Sequence, residues 1–181
     1  MIFTINKIGD KILEIPCKEV DLKKIDNYFK NWDVTGYYSF KHFIECMIET
    51  ARHHDAVGLA ANQVGESLRI FIFRKDCSLN DTSELKNYKW EVAINPKILP
   101  YSGKAPAFTI DDIQEEGCLS VPKIVALVPR PNKIEVEYFN EKGEKINRTL
   151  TGLTARIFSH EQDHLDGILF LQKALKIQYV K

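Results

Sequence analysis

The chain alternates between two periodicities, and the switches between them outline its elements. Near the N-terminus, Leu22, Ile25, Phe29 and Trp32 recur at helical spacing in "EVDLKKIDNYFKNW", with Asp21 placed to cap the start. "VTGYYS" interrupts the pattern. A second helix is predicted from near Ser39, where Phe40, Phe43, Ile44, Met47 and Ala51 share one apolar face. Both stripes read as core-facing surfaces. The glycine-bounded "VGLAANQVG" follows and reads as weakly structured. The period then shortens to two. "LRIFIF" (68–73) is β-branched or aromatic at most positions and predicts a strand. "DCSLNDTSELKN" is a polar loop. "EVAINPKIL" predicts a strand ended or edged by Pro96, which has no N–H for a ladder. "CLSVP" and "IVALVPRP" are short extended pieces. "KIEVEYF" (133–139) alternates cleanly, and "EKINRTLTG" returns as its partner through the turn "NEKG". Helical spacing resumes from about Leu153 to Leu165, and "ILFLQKAL" follows as an apolar segment. Strands in the middle and one late helix predict an α+β domain over residues 1–181, the helix packed on antiparallel sheet.

Composition narrows the class. A chain of 181 residues buries roughly 70% of its unfolded surface, enough for one core without staples. Lys plus Arg and Asp plus Glu number 25 each, so bulk charge points to neither a nucleic acid nor a membrane partner. The start, "MIFTINKIGDKILEIPC", lacks the roughly 7–15-residue apolar core of a secretory signal. No stretch approaches the ~20 apolar residues of a membrane span. Cys17, Cys46, Cys77 and Cys118 are scattered with no CxxC pair, which favours free thiols or metal ligands over disulfides. A cytosolic or organellar location is expected.

The chemistry starts at "SHEQDHLDG" (159–167). On a helix, His160 and His164 stack on one face and can share a metal. Glu161, beside the first histidine, can reach a water that the metal acidifies and take its proton. A catalytic site of this kind usually has three protein ligands and an open position. No glutamate follows His164, and Phe170 occupies the place where an extended form of the motif has a third histidine. The third ligand is therefore sought upstream. In "QEEGCLSVP", Cys118 follows Gly117 and is either a thiolate ligand or a small buried side chain. In "GLAANQ" (58–63), Gln63 is either an amide donor toward developing negative charge or a turn residue. Cys17, Cys46 and Cys77 are read as structural.

Taken together and in this order, "GLAANQ", "EGCLS" and "HEQDH" resemble peptide deformylase. The likeness extends from about Ala51 to Phe170, through "INP", "ALVPRP" and the "EVEYFNEKGE" hairpin. It implies a compact fold of antiparallel sheets around a central C-terminal helix carrying HExxH. It also implies removal of the formyl group from the N-terminal methionine of new polypeptides, with release of formate. Iron(II) is the implied metal, one per chain, with zinc, nickel or cobalt able to substitute. By the same resemblance Cys118, His160 and His164 are the ligands, and Glu161 is the general base and acid. Gln63 and the backbone N–H of Leu119 form the oxyanion hole. Val57, Gly58 and Ile157 meet the substrate, Gly58 through its backbone and Ile157 in the methionine pocket. A monomer acting on nascent chains near the ribosomal exit tunnel, in a bacterial-type cytoplasm, is expected. Three positions leave the family pattern: Ala56 where glycine is usual, Val125 where a basic residue is common, and Arg156 where apolar residues line the pocket. Arg156 is expected to lay its stem along the pocket wall and turn its guanidinium to water. The rival readings are a metallopeptidase, against which the upstream cysteine argues, and a catalytically inactive relative or binding module, against which Glu161 and Gln63 argue.

Overall fold

The structure is a computed structural model that describes residues 1–28, 39–75, 89–101 and 109–180. Its described residues form α1 (Phe40–His53), β1 (Gly58–Ala60), β2 (Ile70–Arg74), β3 (Trp90–Leu99), β4 (Ile113–Cys118), β5 (Val121–Pro129), β6 (Lys133–Phe139), β7 (Lys145–Thr151), α2 (Gly152–Leu165) and β8 (Lys176–Tyr179). Two antiparallel sheets result. One has the order β1-β2-β3-β6-β7 and the other β4-β5-β8.

Strand β2 explains how the larger sheet is covered. Side chains alternate between the faces of a strand. Ile70 and Ile72 join the cluster built on α1, with Phe43, Met47 and Ala51. Phe71 and Phe73 join the opposite cluster, with Ala155, Ile157 and Phe158 of α2. Both parities are apolar because both faces are covered. Helix α1 is amphipathic as its pattern predicts, and Ser39 Oγ accepts from the His42 N–H at 3.2 Å to cap it. Helix α2 differs: residues 154–159 and 161–165 are all buried. It is enclosed by the larger sheet on one side and approached by the smaller sheet on another, which makes it the central helix of the fold.

Four local expectations are corrected. Over Leu22–Tyr28 the chain forms a 3-10 helix with a kink at Lys24 and not an α-helix, although Asp21 does accept from the Lys23 N–H at 3.1 Å. Phe29, Trp32, the "VTGYY" break, the polar loop and Cys77 lie outside the described residues. "GLAANQV" is structured: Gly58–Ala60 pairs with β2, and Ala61–Val64 forms a 3-10 turn. Pro96 does not end β3. The register shifts between Ile94 and Lys97, and Asn95 adopts φ 51 there, held by hydrogen bonds of 2.8 Å to both Val20 N and Val20 O. A bulge tolerates a proline because it needs no ladder donor at that point. Finally, "ILFLQKAL" forms a 3-10 turn over Phe170–Lys173 and leads into β8, whose four residues are all exposed and so carry no burial pattern.

Candidate metal centre

The two histidines lie on α2, and the cysteine ends β4 of the smaller sheet. Among the described residues, Cys118, His160 and His164 bring their ligand atoms within 4.8 Å of one another. Cys118 Sγ is 3.2 Å from His164 Nε2. Tetrahedral zinc or iron with a sulfur at about 2.3 Å and nitrogens at about 2.0–2.1 Å separates such atoms by roughly 3.6 Å. The donor set therefore fits a divalent transition metal. Two buried atoms beside it have no protein partner, His164 Nδ1 and Glu161 Oε2.

The charges agree with that reading. Burial alone would raise the Cys118 thiol, but the adjacent His164 and His160 outweigh it and hold the group well below its ordinary range. Burial would lower His160, yet Cys118 and Glu116 hold it well above its ordinary value. A sulfur poised as thiolate is the form that binds metal. Burial is the largest influence on Glu161 and pushes its carboxyl up to about 7, against the pull of His160 and His164.

Local geometry aims the remaining groups. The Ala60 N–H donates to Gln63 Oε1 at 2.9 Å, which fixes which end of the amide is which. Gln63 Nε2 then faces the site and donates to Ser120 Oγ at 3.1 Å and Cys118 Sγ at 3.5 Å. Gly58 lies directly against Glu161: a Cβ there would fall 2.5 Å from Oε1. The glycine is required by this close approach and not by a turn. Ala56 raises no strain, because the left-handed residue before β1 is Asp55, at φ 53.

A cavity of about 440 Å³ opens over these groups. Val57, Gly58, Gln63, Leu119, Ile157 and Glu161 all line it, as do Cys118 and His160. His164, 1% exposed, lies behind them. Val125 is on its wall, as is Arg156, but the expectation for Arg156 fails. Its guanidinium turns inward, donating to Glu116 Oε1 (2.6 Å), the Asp112 carbonyl (2.7 Å) and the Val128 carbonyl (3.0 Å). A buried carboxylate and two backbone carbonyls outcompete solvent for it.

That carboxylate was not singled out in the sequence. Glu116 Oε2 accepts from His160 Nδ1 at 3.0 Å, leaving the other ring nitrogen for the metal. Arg130 grips Glu116 with two bonds, Nε to Oε1 (2.6 Å) and Nη2 to Oε2 (2.9 Å), and reaches Asp163 Oδ2 at 2.8 Å. Burial would raise Glu116, but hydrogen bonds from His160 and Arg130 bring it down to about 2. Asn62 donates to the His164 carbonyl at 2.6 Å and so steadies the end of α2. The usable signal was Glu116 itself, a carboxylate two residues before the candidate ligand on an extended segment.

Comparison with known proteins identifies the family. The family model for polypeptide deformylase matches residues 2–179. Peptide deformylase of Fusobacterium nucleatum is 36% identical over 96% of this chain and 84% of its own length. That of Thermotoga petrophila is 37% identical over 94% and 86%. The crystal structure of peptide deformylase from Thermotoga maritima superposes with a TM-score of 0.75 at 36% identity, covering 96% of this chain and 98% of that one. A Met-Ala-Ser-bound class I type b peptide deformylase from Acinetobacter baumannii gives 0.74 at 29% identity, covering 96% and 98%. With its antiparallel sheets, its central helix and a Cys-His-His cluster, this protein belongs to the polypeptide deformylase family of metal-binding hydrolases.

Proposed function

We propose that the protein hydrolyses the formamide of N-formylmethionyl peptides, yielding formate and a free methionyl N-terminus. The observation that carries this reading is the convergence of Cys118, His160, Glu161 and Gln63 on one cavity, with His164 completing the ligand cluster behind them. The Met-Ala-Ser bound to the Acinetobacter relative is the peptide that such a reaction leaves behind. Cys118, His160 and His164 would hold one iron(II), with zinc, nickel or cobalt able to replace it. Such an ion, when bound, polarises a carbonyl and lowers the pKa of a water.

The chain's own groups do the rest. Glu161, buried and close to neutral pH in its affinity for a proton, takes the proton of the attacking water and delivers it to the leaving amine. Gln63 Nε2 and the Leu119 N–H meet the charge that develops on the formyl oxygen. Gly58 begins β1, with Val57 immediately before it, and β1 is an edge strand of the larger sheet, where an extended peptide can add as a further strand. Ile157 and neighbouring wall residues receive the methionine side chain. The bacterial relatives and a nascent-chain substrate favour a cytoplasmic monomer working close to the ribosomal exit tunnel.

Formate release from formyl-Met-Ala-Ser, measured on anaerobically purified protein beside its metal content, tests the reading. Turnover of the formylated peptide with one metal per chain is expected, and no cleavage of unformylated peptides. Peptide-bond cleavage in place of formate release would replace the proposal with a peptidase.

A further inference from the structure

The three candidate ligands come from two separate parts of the fold. His160 and His164 are fixed to each other by one turn of α2, whereas Cys118 belongs to the smaller sheet. The distance between that sheet and α2 therefore sets the size of the ligand triangle. Arg156 spans this gap. It lies on α2, one turn before His160, and its three acceptors all belong to the other side: Asp112 immediately before β4, Glu116 within β4 and Val128 within β5. Its side chain is 9% exposed and that of Glu116 is 6% exposed.

The acceptor capacity of Glu116 shows why Arg156 adds to Arg130. The fork of Arg130 takes one position on each carboxylate oxygen. The remaining position on Oε1 goes to Arg156 and that on Oε2 goes to His160. Removing Arg156 strips a donor from Oε1 and from two backbone carbonyls at once, all inside the protein. Arg130 cannot compensate, since its third nitrogen is committed to Asp163, one turn beyond His160.

We propose that Arg156 is a positioning residue for the metal centre. It draws β4 and β5 onto α2, holds Glu116 against His160 Nδ1, and thereby keeps Cys118 at ligand distance from the two imidazoles. This rests on the reading that Cys118, His160 and His164 bind the metal. Its guanidinium acts through Glu116 and the two carbonyls, while the residue also borders the cavity.

The test measures metal affinity apart from turnover. Cobalt(II) is titrated into apoprotein against a competing chelator, and the near-ultraviolet sulfur-to-cobalt band reports Cys118. Arg156→Met, which keeps the stem and loses the fork, is expected to bind cobalt 10- to 100-fold more weakly, the range usual for lost outer-shell partners. Arg156→Lys, with a point charge in place of the fork, falls between that variant and the unmodified protein. Should Arg156→Met fail to fold, Arg156→Lys carries the same test. Arg69→Met serves as the control. It removes another tie to α2, to Asp166 and the Leu165 carbonyl, without touching Glu116. The proposal is overturned if both Arg156 variants hold cobalt as tightly as the unmodified protein, or if Arg69→Met weakens binding equally. A sulfur band absent from the unmodified protein would instead overturn the ligand assignment beneath it.

Discussion

Replacing Gly58 with alanine asks whether the Glu161 carboxylate must stand where it does. The three heavy atoms nearest to an added Cβ are all from Glu161: Oε1 at 2.5 Å, Cδ at 2.9 Å and Cγ at 2.9 Å. Favourable contact between carbon atoms lies at about 3.5–4.0 Å. Relief therefore requires a shift of roughly 0.5–1 Å in either partner. Turning the end of the side chain is not enough, because Cγ is also in the way. Glu161 is 4% exposed on a helix buried all round, so it has little room. Gly58 is paired with Phe73 of β2, so β1 cannot withdraw without breaking the sheet edge.

A misplacement of about 1 Å in a reacting group costs on the order of 100-fold in rate. Gly58→Ala should therefore lower kcat/KM for formyl-Met-Ala-Ser by about 100-fold, equivalent to about 2.7 kcal/mol. Overpacking of this kind also costs about 1–3 kcal/mol of stability, so the variant melts earlier and still folds. Metal content should be unchanged, because no ligand atom is among the contacts. Alanine keeps the backbone N–H and C=O of position 58, so loss of edge pairing does not explain the defect. Shortening the base in the same background, Gly58→Ala with Glu161→Asp, should cost far less than the product of the two single changes. A Gly58→Ala protein with full metal and a rate within threefold of the unmodified enzyme would refute the reasoning.

Glu161→Gln should keep the metal and lose about 100- to 10,000-fold in rate, since an amide fills the space and cannot take the proton; more than a tenth of the activity remaining would remove Glu161 from its role. Gln63→Leu should cost about 100- to 1,000-fold, mainly in kcat, through the lost oxyanion donor; a change confined to KM would make Gln63 a binding residue. Burial raises the Cys17 thiol from its ordinary value near 9.0 to about 11. Between those values the unfolded chain has lost the proton that the folded chain still holds, so stability falls as pH rises from 9 to 11. Cys17→Ala should flatten that limb of the urea midpoint plotted against pH, and an unchanged slope would clear Cys17 of the effect.

How much of this was legible follows from where each force acts. Helix α1 could be read because its one apolar face meets one sheet. The clean alternation of β6 was readable for the same reason. Helix α2 was found through its spacing, but its complete burial was not, since Arg156, Gln162 and Asp163 look like solvated positions in the sequence. Their burial depends on partners far along the chain. Residues 22–28 carried helical spacing and took a tighter, kinked form, an outcome that neighbouring packing decides and periodicity does not. Asn95 and Pro96 form a bulge because Asn95 finds both backbone groups of Val20, 75 positions away.

The same division runs through the site. Helix geometry alone places His160 beside His164, so that half of the triangle was local and readable. Cys118 remained open between ligand and core residue because its distance to the histidines is tertiary. What sets that distance is a chain of charges that starts at the exposed Lys173 and continues through the buried Asp163, Arg130, Glu116 and Arg156. Buried ion pairs contribute little net stability, while removing one partner costs about 3–5 kcal/mol. An apolar core of similar volume would hold the two sheets on α2 at least as strongly. It would not specify a single spacing, because apolar contacts tolerate small slides that directed hydrogen bonds do not. The charges are therefore best understood as the means by which a helix and a strand from different parts of the fold meet at the separation that a metal requires.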